Sequence, residues 1–159
     1  MTVNLIQDVT VKKLEELKLV GFRVFCPGDQ YATEIPKATK HLEDRINEIK
    51  HVINREIQYG AFIVETSHQE DDGYWVCTEV KEFENVPEGM VTLTIPSQTY
   101  AASRYTGSNK QIFSAYEELH RWMKENGYKR MMDKWHVEVF TSWKNPNELD
   151  VELLDTIES

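Results

Sequence analysis

The chain has 159 residues, of which 40% are hydrophobic, and its formal net charge is −9 at pH 7. This length suits one domain with its own core, or two fused half-domains. The acidic balance argues against direct nucleic-acid binding, which needs a basic face. No apolar run approaches the ~20 residues that a membrane-spanning helix needs.

The N-terminal residues carry no pattern of a targeting segment. Residues 1–8 have no basic start and no long apolar stretch, so they do not resemble a secretory signal. We therefore expect a cytoplasmic protein without a membrane anchor.

Cys26 and Cys77 each lie in an apolar extended run and are expected to be buried thiols. Cys and His do not occur at metal-ligand spacing, and we expect neither a metal nor a cofactor.

The first half of the chain reads as a strand, a helix and further strands. A short strand is predicted near Thr10, and a second at residues 20–26, ended by Pro27-Gly28. A helix is predicted from Ile35 to about Ile57 with Thr33 as its cap. The helix is indicated by apolar residues at helical spacing, namely Leu42, Ile46, Ile49 and Ile53. Strands are then predicted at residues 59–65, 74–80 and 90–95.

The second half repeats this pattern. A strand at residues 99–105 is followed by a turn and by a helix at 111–126, which Gly127 can close in a left-handed conformation. Strands at 135–141 and 149–154 complete the copy. Aligning residues 59–65 with 135–141 puts Glu138 in the position of Phe62.

We therefore predict one α+β domain built from two strand-helix-strand-strand units, at about residues 10–95 and 96–159. The two units would share an antiparallel sheet of roughly eight strands, with both helices on one face. Two helices cannot cover such a sheet. Part of the other face is therefore predicted to be a ligand cleft between the halves.

Glu138 is an acidic residue in a strand, residues 135–141, that is otherwise mainly apolar and aromatic. Alternation puts His136, Glu138 and Phe140 on one side of the strand. The other side suits the helices, so we expect the Glu138 side to face the cleft. A carboxylate there is costly to desolvate and would attract a cation, which aromatic rings stabilise further. The alternative is a solvated Glu138, or one paired with Arg104 or Lys134.

The same rule extends the candidate site to neighbouring strands. Trp75 and Glu79 lie opposite the valines of strand 74–80 and would face the cleft. In strand 99–105, either Tyr100 or Tyr105 could form a wall, and the pattern leaves the choice open. The predicted ligand-binding residues are Glu138, Trp75, Phe140, Tyr105, Tyr100, His136 and Glu79.

Several segments resemble one known family when their order and spacing are taken together. They are VGFRVFCPG (20–28), YWVCTEV (74–80), VPEGMVTLTIPSQTYAASRYTG (86–107), LHRWMKENGY (119–128), HVEVF (136–140) and DVELLDTI (150–157). Over about residues 11–157 the chain resembles the GyrI-like small-molecule-binding family, the effector-binding domain of AraC-type and MerR-type multidrug regulators. The end of the closing strand, at Leu154 to Ile157, departs mildly from the family pattern.

The resemblance implies a duplicated fold with a ligand cleft between the copies, and it implies that Glu138 is the cleft carboxylate of members that bind lipophilic cations. No DNA-binding domain of the regulators has a counterpart here, so we expect a stand-alone member.

Three functions follow from the sequence. The favoured one is a binding protein for a lipophilic, cationic or aromatic small molecule, related to the effector domains of transcription regulation. The second is a GyrI-like hydrolase in which Glu138 acts as general base, assisted by His136. The third is an inhibitor of a basic protein partner such as a topoisomerase, acting through the acidic loop at residues 70–72.

Overall fold

The computed structural model describes residues 5–159; the first four residues of the stretch compared with secretory signals lie outside the described residues. Two short 3-10 turns, Gly28–Gln30 and Asn109–Gln111, lead directly into the two main helices. The strands and main helices follow the chain in the order β1 (Thr10–Leu14), β2 (Leu17–Val24), α1 (Tyr31–Arg45), β3 (Gln58–Ile63), β4 (Tyr74–Glu79), β5 (Val91–Ile95), β6 (Gln98–Gly107), α2 (Ile112–Glu125), β7 (Trp135–Ser142) and β8 (Leu149–Ile157).

All eight strands form one antiparallel sheet in the order β1-β6-β8-β7-β3-β4-β2-β5. The predicted α+β architecture is therefore confirmed. The unit β2-α1-β3-β4 is followed by the unit β6-α2-β7-β8, and the two meet where β3 pairs with β7. Strands β1 and β5 extend opposite edges. No helix within residues 5–159 has the length and apolar character needed to cross a membrane.

Two short connections force the sheet to curl. Only Glu15 and Glu16 join β1 to β2, although these strands lie six positions apart in the sheet. A flat sheet would separate them by about 29 Å, because neighbouring strands lie about 4.8 Å apart. Three Cα–Cα steps span about 11 Å at most. The β5–β6 connection is equally short, and its Ser97 hydroxyl donates to the carbonyl of Leu14 at 2.9 Å. The two edges therefore meet at this end.

The curl buries the inner face of the sheet, and the two helices cover part of the outer face. On the inner face, one apolar cluster joins strands from both edges and contains no helix residue; Trp75, Tyr100 and Val137 belong to it. On the outer face, α1 packs over β2 and β4 through Leu42, and α2 packs over β6 and β8 through Leu119. The central strands β3 and β7 lie between the two helices.

This arrangement corrects the predicted orientation of the sheet. We expected Trp135, Val137 and Val139 beneath the helices, with the cleft on the opposite face. These side chains instead pack into the inner cluster. The Glu138 side of β7 therefore shares its face with the helices. The prediction failed because the curl closes the helix-free face, which a flat sheet would leave open.

The first helix also differs from its prediction. It begins at Tyr31, four residues before the expected start, and ends at Arg45. Thr33, predicted as its cap, lies in the first turn, and Pro36 lies inside the helix, where its ring removes an N–H donor. Ile49 continued the helical spacing in the sequence, but its buried side chain belongs to the turn that follows. The predicted bounds of α2 are correct to within one residue at each end.

The strand ladders align the two units residue by residue. When the two 3-10 turns are superimposed, Val24 of β2 takes the place of Tyr105 of β6. Their partners in the neighbouring strands, Tyr74 and Val151, are then equivalent. One strand further, Gly60 of β3 is equivalent to Glu138 of β7. Gly60 and Glu138 also face each other in the β3–β7 ladder, so a pseudo-twofold axis passes between them. Phe62 thus corresponds to Phe140, not to Glu138. The alignment expected from the sequence and the one in the structure differ by a shift of two residues. Such a shift keeps every side chain on the same face of the strand, so the alternation of apolar and polar residues could not tell the two alignments apart.

Gly21 allows β4 to lie close to β2. A Cβ at this position would lie 2.0 Å from the carbonyl oxygen of Val76 and 2.6 Å from the Cα of Cys77. Because both are backbone atoms, Gly21→Ala should lower the free energy of unfolding by about 2–3 kcal/mol, as measured by urea denaturation. Gly28→Ala is the matched control, since nothing lies within 4 Å of its added Cβ. Equal losses in the two variants would contradict this account.

Candidate functional site

A cavity of about 490 Å³ lies on the outer face of the sheet, between the two helices. Its floor comes from the central strands, with Phe62 on β3 and Glu138 and Phe140 on β7. Its walls come from the helices, with Ile35 on α1 and Tyr116 on α2. This volume falls within the range of about 300–1,000 Å³ that is typical of small-molecule pockets. The space exists because each helix covers only the outer strands of its own unit.

Glu138 lies in the floor of the cavity with 5% of its surface exposed. The hydroxyl of Tyr116 donates to its Oε2 at 2.6 Å, and the hydroxyl of Tyr74 donates to its Oε1. Tyr116 belongs to α2 of the second unit, whereas Tyr74 belongs to β4 of the first. One phenol from each repeat therefore fixes the carboxylate.

The surroundings of Glu138 shift the pKa values of all three groups. Burial raises the pKa of Glu138 above its ordinary value, and the hydrogen bonds from Tyr116 and Tyr74 oppose that rise. Burial, followed by the nearby charge of Glu138, raises the pKa of both phenols well above the usual value. Both tyrosines therefore remain protonated donors at neutral pH.

Within the described part of the chain, the Glu138 carboxylate has no positively charged partner. Among the described residues that line the cavity, Glu138 and Asp72 are acidic, and none is a lysine, arginine or histidine. Within residues 5–159, no salt bridge involves Glu138. A buried carboxylate without a counter-charge is costly. The cavity thus offers an uncompensated negative charge to whatever enters it.

Aromatic side chains surround this charge. The cavity is lined by Tyr31, Tyr59, Phe62, Phe113, Phe140 and Trp143, besides the two tyrosines that bind Glu138. Phe62 stacks on Tyr74 with ring centroids 6.0 Å apart and meets Tyr116 edge-on at 6.4 Å. Trp143 comes from the β7–β8 connection, and its indole N–H donates to Glu43 on α1 at 3.3 Å. This bond ties the connection to the helix of the other unit.

Two of the seven predicted site residues line the cavity, Glu138 and Phe140. Trp75 and Tyr100 belong instead to the inner cluster, on the opposite face of the sheet. Tyr105 is buried under α2, and its hydroxyl donates to the backbone carbonyl of Ser108, just before the turn Asn109–Gln111, at 2.5 Å. Trp75 and Tyr100 lie on the face that the curl closes, whereas Tyr105 lies on the helix side and is covered by α2.

Glu79 and His136 also lie outside the cavity. Glu79 accepts a hydrogen bond from the Tyr59 hydroxyl at 3.0 Å, and Tyr59 packs against the inner cluster. His136 shares the Glu138 side of β7 but is fully buried, and its Nδ1 accepts the backbone N–H of Thr156 at 3.1 Å. Phe62 stacks on its ring, and burial lowers the pKa of His136. Its position does not support the assisting role considered for a hydrolase.

The acidic loop considered for a protein partner lies at the rim of the cavity. Asp72 is among the lining residues. Arg23 donates to the backbone carbonyls of Gln69 and Asp72, at 2.6 and 2.8 Å. The loop therefore helps to shape the entrance.

The sequence analysis missed Tyr74 and Tyr116, which bind Glu138 directly. Both lay in patterns assigned to the core, Tyr74 on the valine side of its strand and Tyr116 on the apolar face of its helix. One signal was available, because a buried tyrosine hydroxyl usually needs a hydrogen-bond partner. Two tyrosine hydroxyls on the helix side of the sheet need an acceptor, and the carboxylate of Glu138 in strand 135–141 can accept a hydrogen bond from both.

Comparisons with known proteins agree with this architecture. The model of the GyrI-like small molecule binding domain matches residues 7–154. No curated protein sequence matches the chain. Solved structures with the same fold include the EcmrR C-terminal domain, with 18% identity, a TM-score of 0.67, and coverage of 98% of this chain and 99% of that chain. In an EcmrR–DNA complex the match has 16% identity and a TM-score of 0.70, with 98% of this chain covering 58% of the EcmrR chain.

Two further structures extend the comparison. SAV2435 bound to tetraphenylphosphonium is 14% identical, with a TM-score of 0.69 and coverage of 96% of this chain and 95% of that chain. A hydrolase of Listeria innocua is 11% identical, with a TM-score of 0.51 and coverage of 94% and 91%. At these identities the structural likeness concerns the fold alone.

The raised pKa of Glu138 makes a prediction about stability. A carboxyl group whose pKa is higher in the folded protein binds its proton more tightly there, so stability falls as the pH rises from the ordinary value of 4.5 through the folded value. Relative to wild type, Glu138→Gln should therefore gain stability over that window and keep a constant advantage above it. Urea denaturation at a series of pH values measures the difference. A difference that does not change with pH would contradict the raised pKa.

Proposed function

The chain belongs to the GyrI-like small-molecule-binding family, and we propose that its cavity binds a lipophilic organic cation over Glu138. The proposal rests on the isolated charge of Glu138, which is 5% exposed and has hydrogen-bond donors but, among residues 5–159, no cationic partner. A bound cation would neutralise it. The two phenols hold the carboxylate in place, so little reorganisation is needed on binding.

The rest of the lining supports a ligand that is apolar around its charge. Besides the two hydrogen-bonding tyrosines, aromatic residues that include Phe62, Phe113 and Phe140 line the cavity. Aromatic faces attract cations within about 6 Å of the ring centre. Each carboxylate oxygen of Glu138 already accepts a hydrogen bond from a tyrosine hydroxyl. A cation that needs no directed hydrogen bond, such as a quaternary ammonium or a phosphonium, suits this arrangement better than a primary amine.

The structural relatives add support of a general kind. The SAV2435 structure contains tetraphenylphosphonium, a cation of this class. EcmrR was solved in a complex with DNA, and the present chain covers 58% of the EcmrR chain. We therefore propose that the chain is related to regulator effector domains.

Glu138 should dominate cation affinity. Tetraphenylphosphonium is expected to bind wild type, and Glu138→Gln should weaken that binding by about 1–3 kcal/mol because one charged contact is lost. Isothermal titration calorimetry measures both. Tetraphenylborate has the same shape with the opposite charge and should not bind.

Glu79→Gln is the matched control variant. It also removes one partly buried carboxylate that accepts a tyrosine hydroxyl, but outside the cavity. Its affinity for tetraphenylphosphonium should equal that of wild type. Equal affinities of wild type and Glu138→Gln, or tight binding of tetraphenylborate, would contradict the proposal.

Cation binding should also depend on pH. Because burial raises the pKa of Glu138, protons compete with the ligand as the pH falls through that pKa. The affinity of wild type for tetraphenylphosphonium should therefore fall at acidic pH, whereas that of Glu138→Gln should stay constant. Titrations at several pH values, with folding checked by circular dichroism, measure this. Parallel pH profiles of the two proteins would rule out competition at Glu138.

A further inference from the structure

The charge of the cavity lies on the pseudo-twofold axis of the fold. Glu138 and Gly60 are equivalent residues of the two units and also face each other in the β3–β7 ladder. The Oε1 atom of Glu138 lies 3.1 Å from the point that a Cβ of Gly60 would occupy. The carboxylate therefore extends across the axis, and a phenol from each unit holds one of its oxygens.

The apolar walls are arranged in pairs about the same axis. With the two 3-10 turns superimposed, each cavity-lining residue of the α2 corner has an equivalent that also lines the cavity. These pairs are Asn109 with Gly28, Ile112 with Tyr31, Phe113 with Ala32, and Tyr116 with Ile35. In the floor, Phe140 and its equivalent Phe62 form one further pair that lines the cavity. Two apolar half-cavities thus flank one central charge.

From this arrangement we infer the class of cation that the cavity selects: one whose positive charge lies between two flat apolar arms. This inference rests on the proposed function. Such a ligand puts its charge over Glu138 while each arm packs into one half-cavity. A ligand of equal size with its charge at one end can reach Glu138 only by leaving one half-cavity without an arm. The buried apolar area is then smaller, and the affinity falls with it.

Gly60 keeps the central position open. A Cβ at Gly60 would lie 1.8 Å from the Tyr74 hydroxyl, as well as close to Glu138. A second side chain on the axis would therefore displace the phenol or the carboxylate. The duplicated frame supplies two equivalent central positions, and only one of them carries a side chain.

Two constitutional isomers test the inference directly. Dibenzyldimethylammonium carries its positive charge between two benzyl arms. Its isomer 4-benzylphenyltrimethylammonium contains the same atoms and the same charge, but the charge lies at one end of the molecule. We expect the two-armed isomer to bind at least about tenfold more tightly, because it fills both half-cavities. Glu138→Gln should abolish most of that difference, since the charge then no longer fixes the position of the ligand.

Paired wall variants add a second measurement. Tyr31→Ala and Ile112→Ala remove equivalent side chains, one from each half-cavity. Both variants should weaken binding of the two-armed isomer, whereas only one of them should weaken binding of the end-charged isomer. Circular dichroism and thermal melts confirm that each variant is folded before its affinity is interpreted.

The outcomes separate this inference from the proposed function. Tighter binding of the two-armed isomer, with losses in both wall variants, supports it. Equal affinities of the two isomers that both depend on Glu138 would overturn the central-charge inference and leave cation binding intact. If neither isomer nor tetraphenylphosphonium binds, both the inference and the proposed function fail.

Discussion

The pair of hydrogen bonds from Tyr74 and Tyr116 to Glu138 is the interaction on which the account of this protein depends. It fixes a buried carboxylate at the junction of two repeats without neutralising it. The phenols lower the cost of burying the charge, and no lysine, arginine or histidine lines the cavity among residues 5–159. Under the proposed function, a bound cation would supply the missing counter-charge to a carboxylate that the phenols already hold in place.

The duplicated fold makes room for this arrangement. Three apolar clusters hold the structure together, one inside the curled sheet and one beneath each helix. None of them requires the two helices to close over β3 and β7. The central strands can consequently remain the floor of a cavity, and the glycine at position 60 accommodates the side chain of Glu138 and its phenol partner.

Much of the fold could be predicted from the sequence, because alternation and helical spacing report local structure. The repeat, the eight strands and α2 follow from those signals. The orientation of the sheet could not be predicted, because the curl arises from two short connections between strands that are far apart in the sheet. Glu138 stood out as an acid in an apolar strand. Trp75 was expected in the cleft but lies on the opposite face of the sheet, and alternation alone left the choice between Tyr100 and Tyr105 open. Tyr74 and Tyr116 were hidden, because their apolar neighbours made them look like core residues.

A crystal structure of the protein with bound dibenzyldimethylammonium would show where the cation sits. We expect the ligand nitrogen to lie over the Glu138 carboxylate, within about 6 Å of an aromatic ring centre, with one benzyl arm against each helix. A ligand bound outside this cavity, or bound inside it with the nitrogen turned away from Glu138, would contradict the account.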